Sequence, residues 1–190
     1  MPLNLPNTLT WLRILLIPLF VAVFYLPDGW VPKHAINLTA TLIFAIAALT
    51  DWLDGWLARR LNQMSAFGAF LDPVADKLMV AAALIVLVDL DRAGIAASLI
   101  IIGREIAISA LREWMAKLGR SGNVAVSFIG KLKTTAQMIA ILLLLYHDNL
   151  LGLDTQWLGR WLLDIAAFLT LWSMFHYLRM AWEALKNEAA

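Results

Sequence analysis

The chain has 190 residues, of which 62% are hydrophobic and only 15% are charged, and its mean hydropathy is +0.75. Soluble globular domains carry about 25% charged residues, so this composition excludes an ordinary soluble domain and indicates an integral membrane protein. The net charge of +1 points to no particular partner, and we expect no nucleic acid ligand. The absence of cysteine excludes disulfides and thiolate metal sites and leaves the redox compartment undetermined.

Six apolar stretches follow one another along the chain, separated by short polar breaks. They cover approximately residues 9–26, 35–58, 66–88, 93–116, 124–146 and 157–182. Crossing a hydrocarbon core of about 30 Å takes roughly 20 helical residues, which each stretch approaches or exceeds. No Pro-, Gly- or Ser-rich linker interrupts the pattern, and no small-residue cleavage site follows the first stretch. We therefore predict an all-α integral membrane protein with six transmembrane helices in a single domain spanning residues 1–190.

The basic residues are distributed unevenly between the two sets of polar breaks. The breaks after the second and fourth stretches and the C-terminal end hold nine of them: Arg59, Arg60, Arg112, Lys117, Arg120, Lys131, Lys133, Arg179 and Lys186. The other breaks hold three: Lys33, Arg92 and Arg160. Lys and Arg near span ends favour the cytoplasmic side, so we expect both termini and the 51–77 region to face the cytoplasm.

The stretch from Asp51 to Lys77, DWLDGWLARRLNQMSAFGAFLDPVADK, holds four aspartates in a chain that is otherwise suited to lipid. An ionised carboxylate within a spanning helix costs about 2.5 to 3.5 kcal/mol and needs a partner or an aqueous cavity. Asp51 and Asp54 are three residues apart, and Asp72 and Asp76 are four apart, so each pair lies on one helix face. Carboxylates suit Mg²⁺ or Mn²⁺, and paired ions assist displacement at phosphorus. The pattern predicts metal-dependent phosphoryl-type chemistry; for Asp51 or Asp54 alone, a helix cap or a solvated helix end is an equally good interpretation.

Eight positions in this stretch match the signature D-x2-D-G-x2-A-R-x8-G-x3-D-x3-D, and in this respect the chain resembles the CDP-alcohol phosphatidyltransferase family. They are Asp51, Asp54, Gly55, Ala58, Arg59, Gly68, Asp72 and Asp76. The resemblance implies the six-helix CDP-alcohol phosphotransferase fold, a homodimer, two divalent ions (Mg²⁺ or Mn²⁺), and displacement of CMP from a CDP-linked lipid or alcohol.

The same resemblance implies a role for each matched residue. Asp51, Asp54 and Asp72 are expected to bind the metals, and Asp76 both to contact the metals and to act as the general base. The residues expected to bind the CDP-linked donor are Asp54, Gly55, Ala58, Arg59 and Gly68.

Three further segments resemble the branch of the family whose bacterial inner-membrane members use glycerol 3-phosphate as acceptor. They read NLPNTLTWLRILLIP, GREIAISALREWMAKLG and GKLKTTAQM. This likeness implies that CDP-diacylglycerol and glycerol 3-phosphate, bound among membrane lipids, give phosphatidylglycerophosphate and CMP. Two alternatives stay open: a sister enzyme that accepts phosphatidylglycerol or inositol phosphate, and a divalent-cation transporter, since intramembrane carboxylates also mark ion pathways.

Four basic residues favour an acceptor that carries a phosphate. Arg104 and Arg112 are eight residues apart, about two helical turns, and therefore share one helix face. Lys131 and Lys133 begin the next apolar stretch on the same side of the membrane, and these four cations could hold a small dianion. An ordinary belt of cytoplasmic charge explains the two lysines equally well. Arg104 lies deeper and needs a partner, but its neighbour Glu105 is expected to point elsewhere, because adjacent helical residues do not face each other.

Asn7, Thr10 and Arg13 precede or begin the first apolar stretch. The plain interpretation is a helix start with a capping side chain followed by an interfacial arginine. The family resemblance adds a possible position near the nucleotide or the lipid headgroup.

Overall fold

A computed structural model describes residues 5–60, 66–117, 128–150 and 152–186. Six α-helices account for most of these residues: α1 Leu5–Val23, α2 Lys33–Arg60, α3 Ala66–Asp89, α4 Ile95–Lys117, α5 Phe128–Tyr146 and α6 Thr155–Lys186. The six predicted helices are therefore confirmed, with bounds that differ by a few residues. The predicted start of the fifth helix, at residue 124, lies outside the described residues.

The helices pack around a core to which each of them contributes fully buried side chains. These are Phe20 of α1, Phe44 of α2, Leu84 and Leu87 of α3, Ile101 of α4, Ile141 and Leu144 of α5, and Leu163 of α6. The most extensive contacts are between α5 and α6 and between α1 and α2, and α1 also packs on α3. Buried small residues such as Ala40, Ala83 and Ala140 let the helix backbones approach each other closely.

The outward faces of the helices are apolar as well. Large apolar side chains that are more than half exposed occur on all six helices, and include Leu15, Leu49, Ile85, Leu99, Ile106, Leu132, Phe168, Trp172 and Phe175. Within the described ranges, two segments, Lys33–Asp51 and Thr155–Phe175, are long and apolar enough to cross a membrane, and the shorter segments Thr8–Val23 and Leu132–Tyr146 are also apolar. Charged residues interrupt the apolar sequence of α3 and α4, so these two helices contain no long uncharged segment.

A polar cluster closes the end of the bundle where α3 turns into α4. The guanidinium of Arg92 donates hydrogen bonds to the carbonyl of Leu145, at 3.1 Å, and to Asn37 Oδ1, at 2.9 Å. Burial, and after it the charge of Arg92, lower the pKa of the nearby His147. The cluster therefore joins the α3–α4 turn to α2 and α5, at the end of α3 opposite to Asp72 and Asp76.

Candidate active site

Helix α1 contacts an aspartate on each of its two neighbouring helices. Arg13 Nη1 lies 2.8 Å from Asp51 Oδ1 near the end of α2, and Thr10 Oγ1 donates a hydrogen bond to Asp72 Oδ1 near the start of α3. Thr10 and Arg13 are both 1% exposed, and their spacing of three places them on one face of α1. The interpretation of Arg13 as an interfacial residue is therefore wrong, because its guanidinium is buried against a carboxylate. Together the two contacts place Asp51 of α2 and Asp72 of α3 against the same face of α1.

Asp76 lies one helical turn after Asp72 and faces a small cavity between helices. The cavity is lined by Arg13, Phe44, Ala47, Ala48, Asp76, Met79, Val80 and Met138. Arg13 and Asp76 are the charged residues in this otherwise apolar lining. A carboxylate in such a position can accept a proton from a hydroxyl that comes within hydrogen-bond distance of it.

The aspartates have the chemistry of a site for a hard divalent cation. Carboxylate oxygens are the ligands that Mg²⁺ and Mn²⁺ prefer, and contacts from α1 already orient Asp51 and Asp72. Among the side chains that the structure describes, no three acidic or histidine residues are close enough together to hold an ion by themselves. The side chain of Asp54, the fourth predicted ligand, lies outside the described set.

The predicted donor-binding residues lie at two helix ends. Gly55, Ala58 and Arg59 belong to the last turns of α2, and Gly68, which is buried, belongs to the first turn of α3. The side chains of Asp54, Ala58 and Arg59 are outside the described set, so their contacts with the nucleotide stay a prediction.

Two of the four predicted acceptor-binding cations meet at one carboxylate. Glu105 Oε1 lies 2.7 Å from Arg104 Nη1 and 3.1 Å from Lys133 Nζ, and so joins α4 to α5. Arg104 and Lys133 are 9% and 3% exposed, which corrects the interpretation of Lys133 as part of a surface charge belt. The expectation that Arg104 and Glu105 point apart is also wrong: the long arginine side chain turns back towards its neighbour. The side chains of Arg112, on α4, and Lys131, on α5, lie outside the described set.

Two hydrogen bonds connect α3 to the part of α4 that carries Glu105. Lys77, which follows Asp76, donates a hydrogen bond to Ser109 Oγ. Ser109 in turn donates to the backbone carbonyl of Glu105, at 2.6 Å. The site therefore has an acidic part, on α2 and α3, and a basic part, on α4 and α5, joined by this contact between α3 and α4.

Thr10, Arg13 and Glu105 are the site residues whose contacts sequence reasoning missed. The available signal was charge inside apolar sequence: Arg13 follows Thr10 at helical spacing, and Glu105 stands beside an arginine in mid-helix. A buried charge needs a partner, so Arg13 and Glu105 could each have been placed near an opposite charge, although not near a particular one.

Residues 3–172 match the family described as CDP-alcohol phosphatidyltransferase. The chain belongs to the CDP-alcohol phosphatidyltransferase family. The match spans α1 to α5 and most of α6, and so includes both the acidic and the basic part of the site.

Curated members of the family match almost the full length of the chain. A protein of Salmonella typhimurium and one of Escherichia coli are each 51% identical to it over 183 residues, which is 95% of this chain and 96% of theirs. A protein of Shigella flexneri matches with the same identity and coverage. All three are named CDP-diacylglycerol–glycerol-3-phosphate 3-phosphatidyltransferase.

Proposed function

We propose that this protein transfers the phosphatidyl group of CDP-diacylglycerol to glycerol 3-phosphate, and that the products are phosphatidylglycerophosphate and CMP. The observation that carries this proposal is the near full-length identity of 51% to relatives named for that reaction. The geometry agrees with it, because the Lys77–Ser109 contact joins a helix with carboxylates suited to displacement at phosphorus to a helix with a buried cation suited to a phosphorylated acceptor.

The acidic part of the site is proposed to hold two divalent ions, Mg²⁺ or Mn²⁺, through Asp51, Asp54, Asp72 and Asp76. When bound, such ions neutralise the pyrophosphate and make CMP a better leaving group. The contribution of the chain is orientation: Arg13 and Thr10 fix one oxygen each of Asp51 and Asp72 before any ligand arrives. Asp54, Gly55, Ala58, Arg59 and Gly68 are proposed to bind the CDP-linked donor at the ends of α2 and α3 that carry these aspartates.

Asp76 is proposed to act as the general base in a direct displacement. It accepts the proton of the acceptor's primary hydroxyl while that oxygen forms a bond to the β-phosphorus of the donor. The bond from this phosphorus to the CMP oxygen breaks, and CMP leaves with the electron pair. The position of Asp76 at the cavity shared with Arg13 supports this role, because the carboxylate faces a space between helices rather than the packed core.

The basic part of the site is proposed to orient the acceptor through its phosphate. Arg104, Arg112, Lys131 and Lys133 are the residues assigned to this task. Arg104 and Lys133 already converge on one point from two helices. A phosphate held there positions the acceptor hydroxyl for attack, which turns binding energy into orientation.

We further propose that the chain crosses a bacterial inner membrane six times, as part of a homodimer, with the site facing the cytoplasm. The apolar outer surface supports this placement, since soluble proteins rarely expose large contiguous apolar areas. The excess of Lys and Arg at the end of the helices that carries the aspartates supports the orientation. In this arrangement the acyl chains of the donor stay in lipid while its headgroup reaches the cavity.

An acceptor competition assay tests the proposed reaction. Purified protein is given CDP-diacylglycerol and Mg²⁺ together with glycerol 3-phosphate, phosphatidylglycerol or inositol phosphate, and CMP release is measured. Release that requires glycerol 3-phosphate is expected. Release that requires another acceptor would keep the displacement chemistry and reject the acceptor, whereas cation flux without CMP release would favour a transporter.

A further inference from the structure

Glu105 forms a junction between two buried cations of the basic part of the site. Its Oε1 atom accepts a hydrogen bond from Arg104 of α4 and another from Lys133 of α5. The two cations are almost fully buried, whereas the carboxylate is 29% exposed. The proposed mechanism assigns the two cations to the acceptor phosphate and leaves the carboxylate between them without a role.

Electrostatics explains why a carboxylate is needed at this point. Two like charges in a poorly hydrated site repel each other, and each costs free energy to bury unless it is paired. A carboxylate oxygen that binds both cations offsets this repulsion and holds the two cations close together. Arg104, Lys133 and Glu105 by themselves carry one more positive than negative charge, which favours an anion as their ligand.

The position of Glu105 is itself fixed by its own helix. Ser109, one turn later, donates a hydrogen bond to the Glu105 carbonyl and accepts one from Lys77 of α3. The backbone of Glu105 is therefore joined through Ser109 to the helix that carries Asp76. This contact links the helical turn of Arg104 and Glu105 to the acidic part of the site.

We propose that Glu105 is a positioning residue for the acceptor phosphate: it holds the Arg104 guanidinium and the Lys133 ammonium at one point, where both meet the phosphate dianion. The inference rests on the proposed function, because it concerns how that reaction binds its acceptor. A guanidinium has five N–H donors and an ammonium has three, so such a pair can bind a carboxylate and a phosphate side by side. Glu105 thus stays in place when the acceptor binds.

The test compares substitutions of two glutamates on α4 in the purified full-length protein. Glu105→Ala removes the junction, and Glu105→Gln keeps an oxygen acceptor while removing the charge. Glu113→Gln is the matched control, because Glu113 pairs with Lys117 on the exposed surface of the same helix. CMP release is measured while glycerol 3-phosphate and CDP-diacylglycerol are varied separately, so that the KM of each substrate and kcat are obtained.

We expect Glu105→Ala to raise the KM for glycerol 3-phosphate by about tenfold or more, a change equivalent to about 1.4 kcal/mol. The KM for CDP-diacylglycerol should stay within about twofold of wild type, since the junction does not contact the donor. Glu105→Gln should give an intermediate value, and Glu113→Gln should match wild type. A purely structural role would instead reduce the amount of folded protein without separating the two KM values.

Inorganic phosphate provides a second readout that does not depend on the acceptor hydroxyl. Inorganic phosphate should inhibit competitively against glycerol 3-phosphate. Its inhibition constant should rise in Glu105→Gln in proportion to the rise in the KM for glycerol 3-phosphate. If Glu105→Ala does not fold, this comparison in Glu105→Gln decides the matter.

Three results would overturn the inference. An unchanged KM for glycerol 3-phosphate in both Glu105 variants would show that the junction does not position the cations. A lower KM would show that Glu105 competes with the phosphate for its place. If the wild-type protein releases no CMP with glycerol 3-phosphate, the proposed function fails together with the inference. If the wild-type protein is active and the Glu105 variants have the same KM for glycerol 3-phosphate, the inference alone is rejected.

Discussion

The contact between α5 and α6 makes a specific prediction about the substitution Gly159→Ala. A Cβ atom added at Gly159 would lie 2.8 Å from Leu144 Cγ and 2.9 Å from Leu144 Cδ2, and 3.3 Å from the backbone oxygen of Ala140. Leu144 is fully buried and the oxygen belongs to the α5 backbone, so neither can move away freely. The two helices must therefore separate slightly to admit the methyl group.

The magnitude follows from two opposing effects. Forcing an extra methyl group into a packed core costs about 1 to 3 kcal/mol. Replacing glycine by alanine within a helix returns up to about 1 kcal/mol. We expect Gly159→Ala to lower the free energy of unfolding by up to about 2 kcal/mol.

Gly103→Ala on α4 is the matched control, because a Cβ atom there has no neighbour within 4 Å among the described residues. It should keep or slightly increase stability, since only the gain in helix propensity applies. Unfolding in mixed micelles, followed by far-UV circular dichroism as denaturing detergent is added, measures the difference between the two variants. Equal stability of the two alanine variants would refute the packing argument.

A double substitution tests the same contact from its other side. Leu144→Ala alone should cost about 2 to 5 kcal/mol, because it leaves a cavity in the core. In the Gly159→Ala background it should cost less, since the new methyl group occupies part of the space that Leu144 vacates. If the free-energy costs of the two substitutions simply add in the double variant, residues 159 and 144 do not contact each other as described. Lys133 lies about 16 Å along α5 from Leu144, so the KM for the acceptor should not change in the folded variants.

Further predictions concern the site itself. Chelation of divalent ions should abolish CMP release while leaving the helical content unchanged, and added Mg²⁺ or Mn²⁺ should restore release; activity in excess chelator would exclude the metal. Arg112→Ala should mainly raise the KM for glycerol 3-phosphate, and an effect confined to the lipid donor would remove Arg112 from the acceptor site. Arg13→Met removes a charged hydrogen bond to Asp51, so it should cost about 1 to 3 kcal/mol of stability and raise the Mg²⁺ concentration needed for half-maximal activity. An unchanged Mg²⁺ requirement would show that Arg13 does not orient Asp51 for the metal.

The helices of this fold could be predicted from sequence because they depend on local composition. Each apolar stretch is long enough for a helix, and the polar breaks between stretches mark the turns, as at Arg92 between α3 and α4. The pairing of the acidic residues could also be predicted from sequence, since the spacings of the Asp51–Asp54 and Asp72–Asp76 pairs determine which residues share a helix face.

Contacts between helices could not be predicted in the same way. Arg13 meets Asp51 across 38 positions in sequence, and Glu105 meets Lys133 across 28. Such pairs depend on how each helix rotates as it packs, which apolar periodicity does not determine when helices are apolar on most faces. The Arg104–Glu105 contact was missed for a different reason: the rule that adjacent helical residues diverge applies to the direction of Cβ, and a long arginine side chain can turn back.

The most direct test of the account is the effect of Asp76→Asn on CMP release from CDP-diacylglycerol with glycerol 3-phosphate and Mg²⁺. The matched control is Asp89→Asn, which makes the same change on an exposed residue at the opposite end of α3. With Asp76 as the base that accepts the hydroxyl proton, Asp76→Asn should fold and retain no measurable turnover, whereas Asp89→Asn should turn over like wild type. Near-normal turnover by folded Asp76→Asn would contradict the proposed mechanism.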